Sequence, residues 1–111
     1  MFKSVNGGFQ MTFSNGLTIS VMFRSGNYCE HRNAEWEVVE KNIRVDGYHS
    51  STDAEIAIWN EENTWLRFDY DQVKGWCSAN EVADWISRAS SADTLASLQA
   101  EIDEKQEEEE E

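Results

Sequence analysis

The chain has 111 residues, 12% of them aromatic, with no proline, two cysteines and a formal net charge of -13. That length is one domain able to bury a core without disulfide staples, and its aromatic content excludes a wholly disordered chain, because aromatic burial offsets chain entropy. No run reaches the ~18 apolar residues of a membrane span and no basic-then-apolar leader opens the sequence; we expect a soluble cytoplasmic protein with reduced thiols, too acidic to favour nucleic acid or anionic lipid.

The first element is a β-hairpin in FQMTFSNGLTISV, residues 9–21. A two-residue Asn15-Gly16 loop would set Phe13 against Thr18 and Met11 against Ser20, apolar against polar throughout. A three-residue loop, Ser14-Asn15-Gly16 with Gly16 left-handed, instead sets Phe13 against Leu17, Met11 against Ile19 and Phe9 against Val21, and gathers Thr12, Thr18, Gln10 and Ser20 on the other face. A slip of one residue turns a whole strand's side chains to the wrong face, so the three-residue loop is the expectation.

Residues 24–33 read as a loop, and residues 36–39 and 43–45 as short strands before the Asp46-Gly47 turn. In AEIAIWNEENTWLRFDY, residues 54–70, a Glu61-Glu62-Asn63 loop with Asn63 left-handed makes a second hairpin. Its apolar face then pairs Ile58 with Leu66, Ile56 with Phe68 and Ala54 with Tyr70. Its other face pairs Trp59 with Trp65, Ala57 with Arg67 and Glu55 with Asp69.

The period then changes. Ser78 followed by Glu81 is a capping box, and Val82, Trp85, Ile86 and Ala89 recur at helical spacing, which predicts an amphipathic helix from Ala79 to about Ala89. Leu95, Leu98 and Ile102 predict a second, weaker helix over about 92–105. Residues 101–111 contribute -7 of the net charge, and 107–111 read as a solvated, disordered tail. The fold class is α+β: residues 1–91 form an antiparallel sheet of hairpins packed against one C-terminal amphipathic helix, and 92–111 add the second helix and the acidic tail.

The segments GFQMTFSNGLTISVMF, GNYC, AEIAIWNEENTW and VKGWCSANEVADWI together resemble a family of small tailed-bacteriophage and prophage proteins with no established activity. The resemblance covers most of residues 7–90; residues 36–48 look like an insertion, and the family commonly has glycine where this chain has Asn63. It implies a phage protein acting in the cytoplasm of a bacterial host.

Chemistry-bearing residues are sparse. Cys29, His31, His49 and Cys77 are the chain's only cysteines and histidines, a set of types that suits zinc, but the spacing fits no zinc pattern and no metal or cofactor is expected. A Cys29–Cys77 disulfide is disfavoured in a reducing compartment. Cys29 and His31 lack a third group to orient the imidazole, and no phosphate loop, Gly-x-Ser-x-Gly or HExxH occurs, so the reading is non-enzymatic.

The Trp59/Trp65 pair with Arg67 has two readings: a small second core covered by the middle segment, or the composition of a protein-binding hot spot. Glu55, Asp69, Glu61 and Glu62 ring the same face. Fixed carboxylates there can keep the protein soluble, or occupy a basic groove that otherwise holds nucleic acid. The expectation that follows is a phage accessory protein that binds a host protein through Trp59, Trp65, Arg67, Glu55, Asp69, Glu61 and Glu62, inhibiting a nucleic-acid-processing or defence enzyme. The alternative is a small assembly protein that forms homodimers through its C-terminal helices.

Overall fold

The computed structural model describes residues 1–24, 27–30, 50–69 and 71–110. Its sheet has five strands in sequence order, β1 (Phe2–Val5), β2 (Gly8–Thr12), β3 (Thr18–Met22), β4 (Asp53–Trp59) and β5 (Lys74–Ser78), every neighbour antiparallel. Two helices follow, α1 (Ala79–Ser91) and α2 (Leu95–Glu110). The α+β class expected from the sequence is the class observed.

Pairing of β2 with β3 follows the three-residue register: Phe9 faces Val21, Met11 faces Ile19 and Thr12 faces Thr18. Phe13 N–H donates to Leu17 O at 2.9 Å, and Gly16 closes the loop at φ 86, where a side chain would be strained. Leu17, Ile19 and Val21 are thereby aimed at the helices and are buried, whereas Phe9, Met11 and Phe13 are half-buried at the margin of the same core.

The second hairpin begins as expected and then departs. Asn63 is left-handed at φ 60, Asn60 Oδ1 accepts from the N–H groups of Glu62 and Thr64, Trp59 pairs with Trp65, and Leu66 N–H donates to Ile58 O at 2.8 Å. Beyond Leu66 the ladder passes to β5: Ile56 faces Lys74 and Ala54 faces Cys77. The expected pairs Ile56/Phe68, Ala57/Arg67 and Glu55/Asp69 are therefore not formed. From Arg67 the chain leaves β4 instead, with Phe68 and Asp71 exchanging backbone hydrogen bonds and Asp69 at φ 52. Phe68 still reaches the core, edge-on to Trp85 with ring centroids 5.0 Å apart. Tyr70 and the strands expected over 36–45 lie outside the described residues.

Two strands were not anticipated. Strand β1 is four residues long and joined to β2 by Asn6-Gly7, with Gly7 at φ 87. Strand β5 contains Gly75 and is bulged, since two residues, Gly75 and Trp76, stand opposite Glu55 between the Ala54/Cys77 and Ile56/Lys74 pairs.

Both helix starts are capped. At α1, Ser78 Oγ accepts from Glu81 N–H and Glu81 Oε1 accepts from Ser78 N–H, both at 3.2 Å, the box read from the sequence. At α2, Thr94 and Ser97 make the same reciprocal pair at 3.0 and 3.1 Å, with serine in place of the usual Glu or Gln. Leu95, Leu98 and Ile102 are buried in the core shared with the sheet and α1, which makes the second helix part of the domain. It also continues to Glu110, through residues expected as a disordered tail. Glutamate is a good helix former, and extending a docked helix costs far less than nucleating one.

One side chain ties the first hairpin to the helices. Asn15 Nδ2 donates to Ala89 O at 2.8 Å and Ala92 O at 2.9 Å, satisfying carbonyls at the end of α1, while its Oδ1 accepts from Leu17 N–H at 3.0 Å. Replacing Asn15 by Ala should destabilise the protein by about 1–3 kcal/mol, because the partly buried carbonyls lose their donor. Asn15→Asp keeps the acceptor and loses the donor, so urea unfolding should show it no more stable than the alanine variant. An aspartate variant as stable as wild type would assign the asparagine's contribution to the turn alone.

Candidate partner-binding surface

The sheet face turned away from the helices is polar at its centre and aromatic toward its ends. Thr18, Ser20 and Ala57 are buried there, and Thr12 and Thr18 share a hydroxyl hydrogen bond of 2.8 Å. At one end the indoles of Trp59 and Trp65 are stacked, with centroids 4.8 Å apart and planes at 25°. Trp65 is 36% exposed and Trp59 half-buried, and the middle segment read as a cover for the pair lies outside the described residues.

At the other end stands an aromatic pair that the sequence did not reveal. Trp76 is 53% exposed and its ring lies 5.5 Å from that of Tyr28. The backbone explains its position. Trp76 adopts φ 51, unusual for a bulky residue, at the bulge opposite Glu55, and its N–H donates to Tyr28 O at 2.8 Å. Glu55 holds the other side of this contact by accepting from Tyr28 N–H at 2.8 Å and Asn27 Nδ2 at 3.4 Å. Asp53 accepts from Glu30 N–H at 2.7 Å, and Glu30 in turn accepts from Thr52 N–H and hydroxyl. Carboxylates on this side are thus used to fasten residues 27–30 across the sheet, a use that charge counting alone could not show.

The seven residues expected to form one surface are accordingly divided. Trp59 and Trp65 are together. Glu61 and Glu62 are exposed at the tip of the same hairpin, where Glu61 lies over Gly16 and both border a shallow cleft with Asp93. Glu55 is committed to Asn27 and Tyr28. The backbone of Arg67 is held by Gln99 of α2, which accepts from Arg67 N–H at 2.8 Å and donates to Arg67 O at 3.0 Å. Asp69 lies with the helices, lining a cleft with Trp85 and Arg88. Among the described residues the cation over an indole is Arg88, 4.2 Å from the Trp85 ring, not Arg67 over the stacked pair.

Cys29 and Cys77 are both buried thiols. Among the described residues no three His, Cys, Asp or Glu side chains are grouped to hold a metal ion, and His31 and His49 lie outside those residues. Cys77 borders an apolar cavity of about 400 Å³ between the sheet and α1, with Phe9, Val21, Val82 and Ile86 among its lining.

Compared with family models, curated proteins and solved structures, the chain has no match in any of the three.

Burial raises the Cys77 thiol from 9.0 to about 11, with Lys74 opposing and Glu81 and Asp53 adding smaller effects. A thiol kept neutral by the fold contributes stability that is complete below pH 9 and is lost as pH rises through about 11, because the unfolded chain releases its proton first. Cys77→Ala should therefore flatten the alkaline fall in unfolding free energy across that window, measured by urea titrations at successive pH values. An unchanged slope would place the alkaline sensitivity elsewhere.

Proposed function

We propose that this is a non-enzymatic phage accessory protein that binds a host protein in the bacterial cytoplasm through the outer sheet face, with Trp59 and Trp65 as its anchor. The observation that carries this reading is the half-exposed stacked pair. Tryptophan is the residue most enriched in binding hot spots, where a rigid aromatic surface is covered with little loss of side-chain freedom. The Tyr28/Trp76 pair adds a second aromatic contact on the same face. Arg67, assigned to the anchor by the sequence pattern, is replaced in this reading by Trp76.

Charge supports the choice of partner. A chain of net charge -13 is steered toward basic surfaces and repelled by polyanions, which suits a host enzyme with a nucleic-acid groove. Glu61 and Glu62, exposed beside the tryptophans, are placed to occupy counter-charges in such a groove. The alternative, assembly through the C-terminal helices, has less to draw on, since Leu95, Leu98 and Ile102 are already buried in the chain's own core.

Affinity capture from bacterial lysate tests the reading when three baits are run together: wild type, Trp59→Ala/Trp65→Ala, and a scrambled acidic control. A host nucleic-acid enzyme retained by wild type alone, and displaced by added DNA or RNA, is the expected result. The same proteins on all three baits would reduce the acidic surface to a solubility device. Light scattering of the purified protein addresses the alternative, for which a stable dimer is required.

A further inference from the structure

Six of the chain's nine basic residues are described, and three of those six, Lys74, Arg88 and Lys105, line one cleft on the helix side of the sheet. In so acidic a protein this grouping is unexpected, and it arises from three separate elements. Lys74 opens β5. Arg88 follows Trp85 by three residues on α1, and Lys105 follows Ile102 by three on α2, so each helix presents an apolar residue with a cation one turn further along the same face. Phe68, Trp85 and Ile102, all at least nine-tenths buried, form an apolar floor, and among the described residues Asp69 is the one acid of the lining. The cleft has a volume of about 230 Å³.

Among the described residues, Arg88 alone of the three has a carboxylate within ion-pair distance. Arg88 is stacked on Trp85 at 4.2 Å, and its Nη2 stands 3.9 Å from Glu101 Oε2, too far for a hydrogen bond. Among the described residues, the ammonium groups of Lys74 and Lys105 have no hydrogen bond or ion pair. Against Asp69 of the lining and Glu101 beside Arg88, the three cations leave a surplus of one positive charge. A phosphate monoester, at about -1.5 to -2 near neutral pH, is drawn to three cations more strongly than a singly charged carboxylate. The guanidinium supplies a planar pair of donors and the two lysines supply mobile charges, a mixture suited to three phosphate oxygens.

We propose that this cleft binds a small phosphate monoester, its phosphate held by Lys74, Arg88 and Lys105 and its apolar body resting on Phe68, Trp85 and Ile102. The site is separate from the outer face and does not depend on the partner-binding reading.

Phenyl phosphate titrated into the full chain at about 0.15 M salt, followed by amide and indole NMR shifts, tests the assignment. Saturable shifts are expected at Trp85, Lys74 and Lys105, with binding roughly tenfold tighter than that of inorganic phosphate because only the ester reaches the floor. Lys74→Gln/Lys105→Gln should weaken it by about tenfold or more, and Asp69→Asn should tighten it, while Lys3→Gln on β1 changes nothing. Three results would overturn the proposal: no saturation, an equal loss in the Lys3 variant, or benzoate binding as tightly as phenyl phosphate.

Discussion

The amide of Asn15 joins three parts of the chain that are remote in sequence. Its oxygen fixes the loop by accepting from Leu17 N–H, and its nitrogen donates to the carbonyls of Ala89 and Ala92. The loop sets the register of β2 against β3, and the register decides that Leu17, Ile19 and Val21 face the helices while Thr18 and Ser20 face away. The same amide that closes the turn therefore receives the end of the helix that the turn's register has made room for. Each hydrogen bond contributes only about 1 kcal/mol, far less than the apolar burial it organises. Its contribution is positional: it links the direction of the strand side chains to the place where α1 must stop.

This coupling explains why the first hairpin could be read from sequence in detail and the second only in part. Around Ser14-Asn15-Gly16, turn chemistry and apolar alternation agree, and one register satisfies both. Around Glu61-Glu62-Asn63 they also agree as far as Leu66, and there the reading holds. Beyond Leu66 the alternation continues in sequence through Phe68 and Tyr70, yet a competing strand, Lys74–Ser78, takes the edge of β4. Local pattern could not identify that competitor. Gly75 weakens its strand signal, and its bulge places Trp76 in a left-handed conformation that propensity argues against.

The candidate surface was legible to a similar depth. Trp59/Trp65 depends only on the first two rungs of the hairpin and is found stacked. Arg67 and Asp69 were assigned by extending the ladder further, and both leave with the departing chain. Glu55 keeps its face but not its expected neighbour. With β5 and its bulge beside it, its carboxylate meets the Tyr28 N–H, so an apparent like-charge clash becomes the anchor of an aromatic pair. Tyr28 and Trp76 are 48 positions apart in the chain, and no local spacing rule connects them. The cations of the helix-side cleft carried a readable local signal, since both helices repeat an apolar residue followed by a base at i+3. Only the packing of α2 beside α1 and β5 brings them together.

The departure at Leu66 thus shapes both sides of the sheet. A hairpin continued to Tyr70 would carry Arg67 and Asp69 onto the outer face, making it more charged and less aromatic, and would leave no edge on β4 for the strand that carries Trp76. Ending the pairing at Leu66 instead sends Phe68 down against Trp85 and places Asp69 at the rim beside Lys74, Arg88 and Lys105. A single change of strand partner thus decides which charged and aromatic side chains meet on each side of the sheet. The gain is physical as well as organisational: Glu55 and Asp69, like charges that would have repelled across adjacent strands, acquire different neighbours, Asn27 and Tyr28 for one and the cleft's cations for the other.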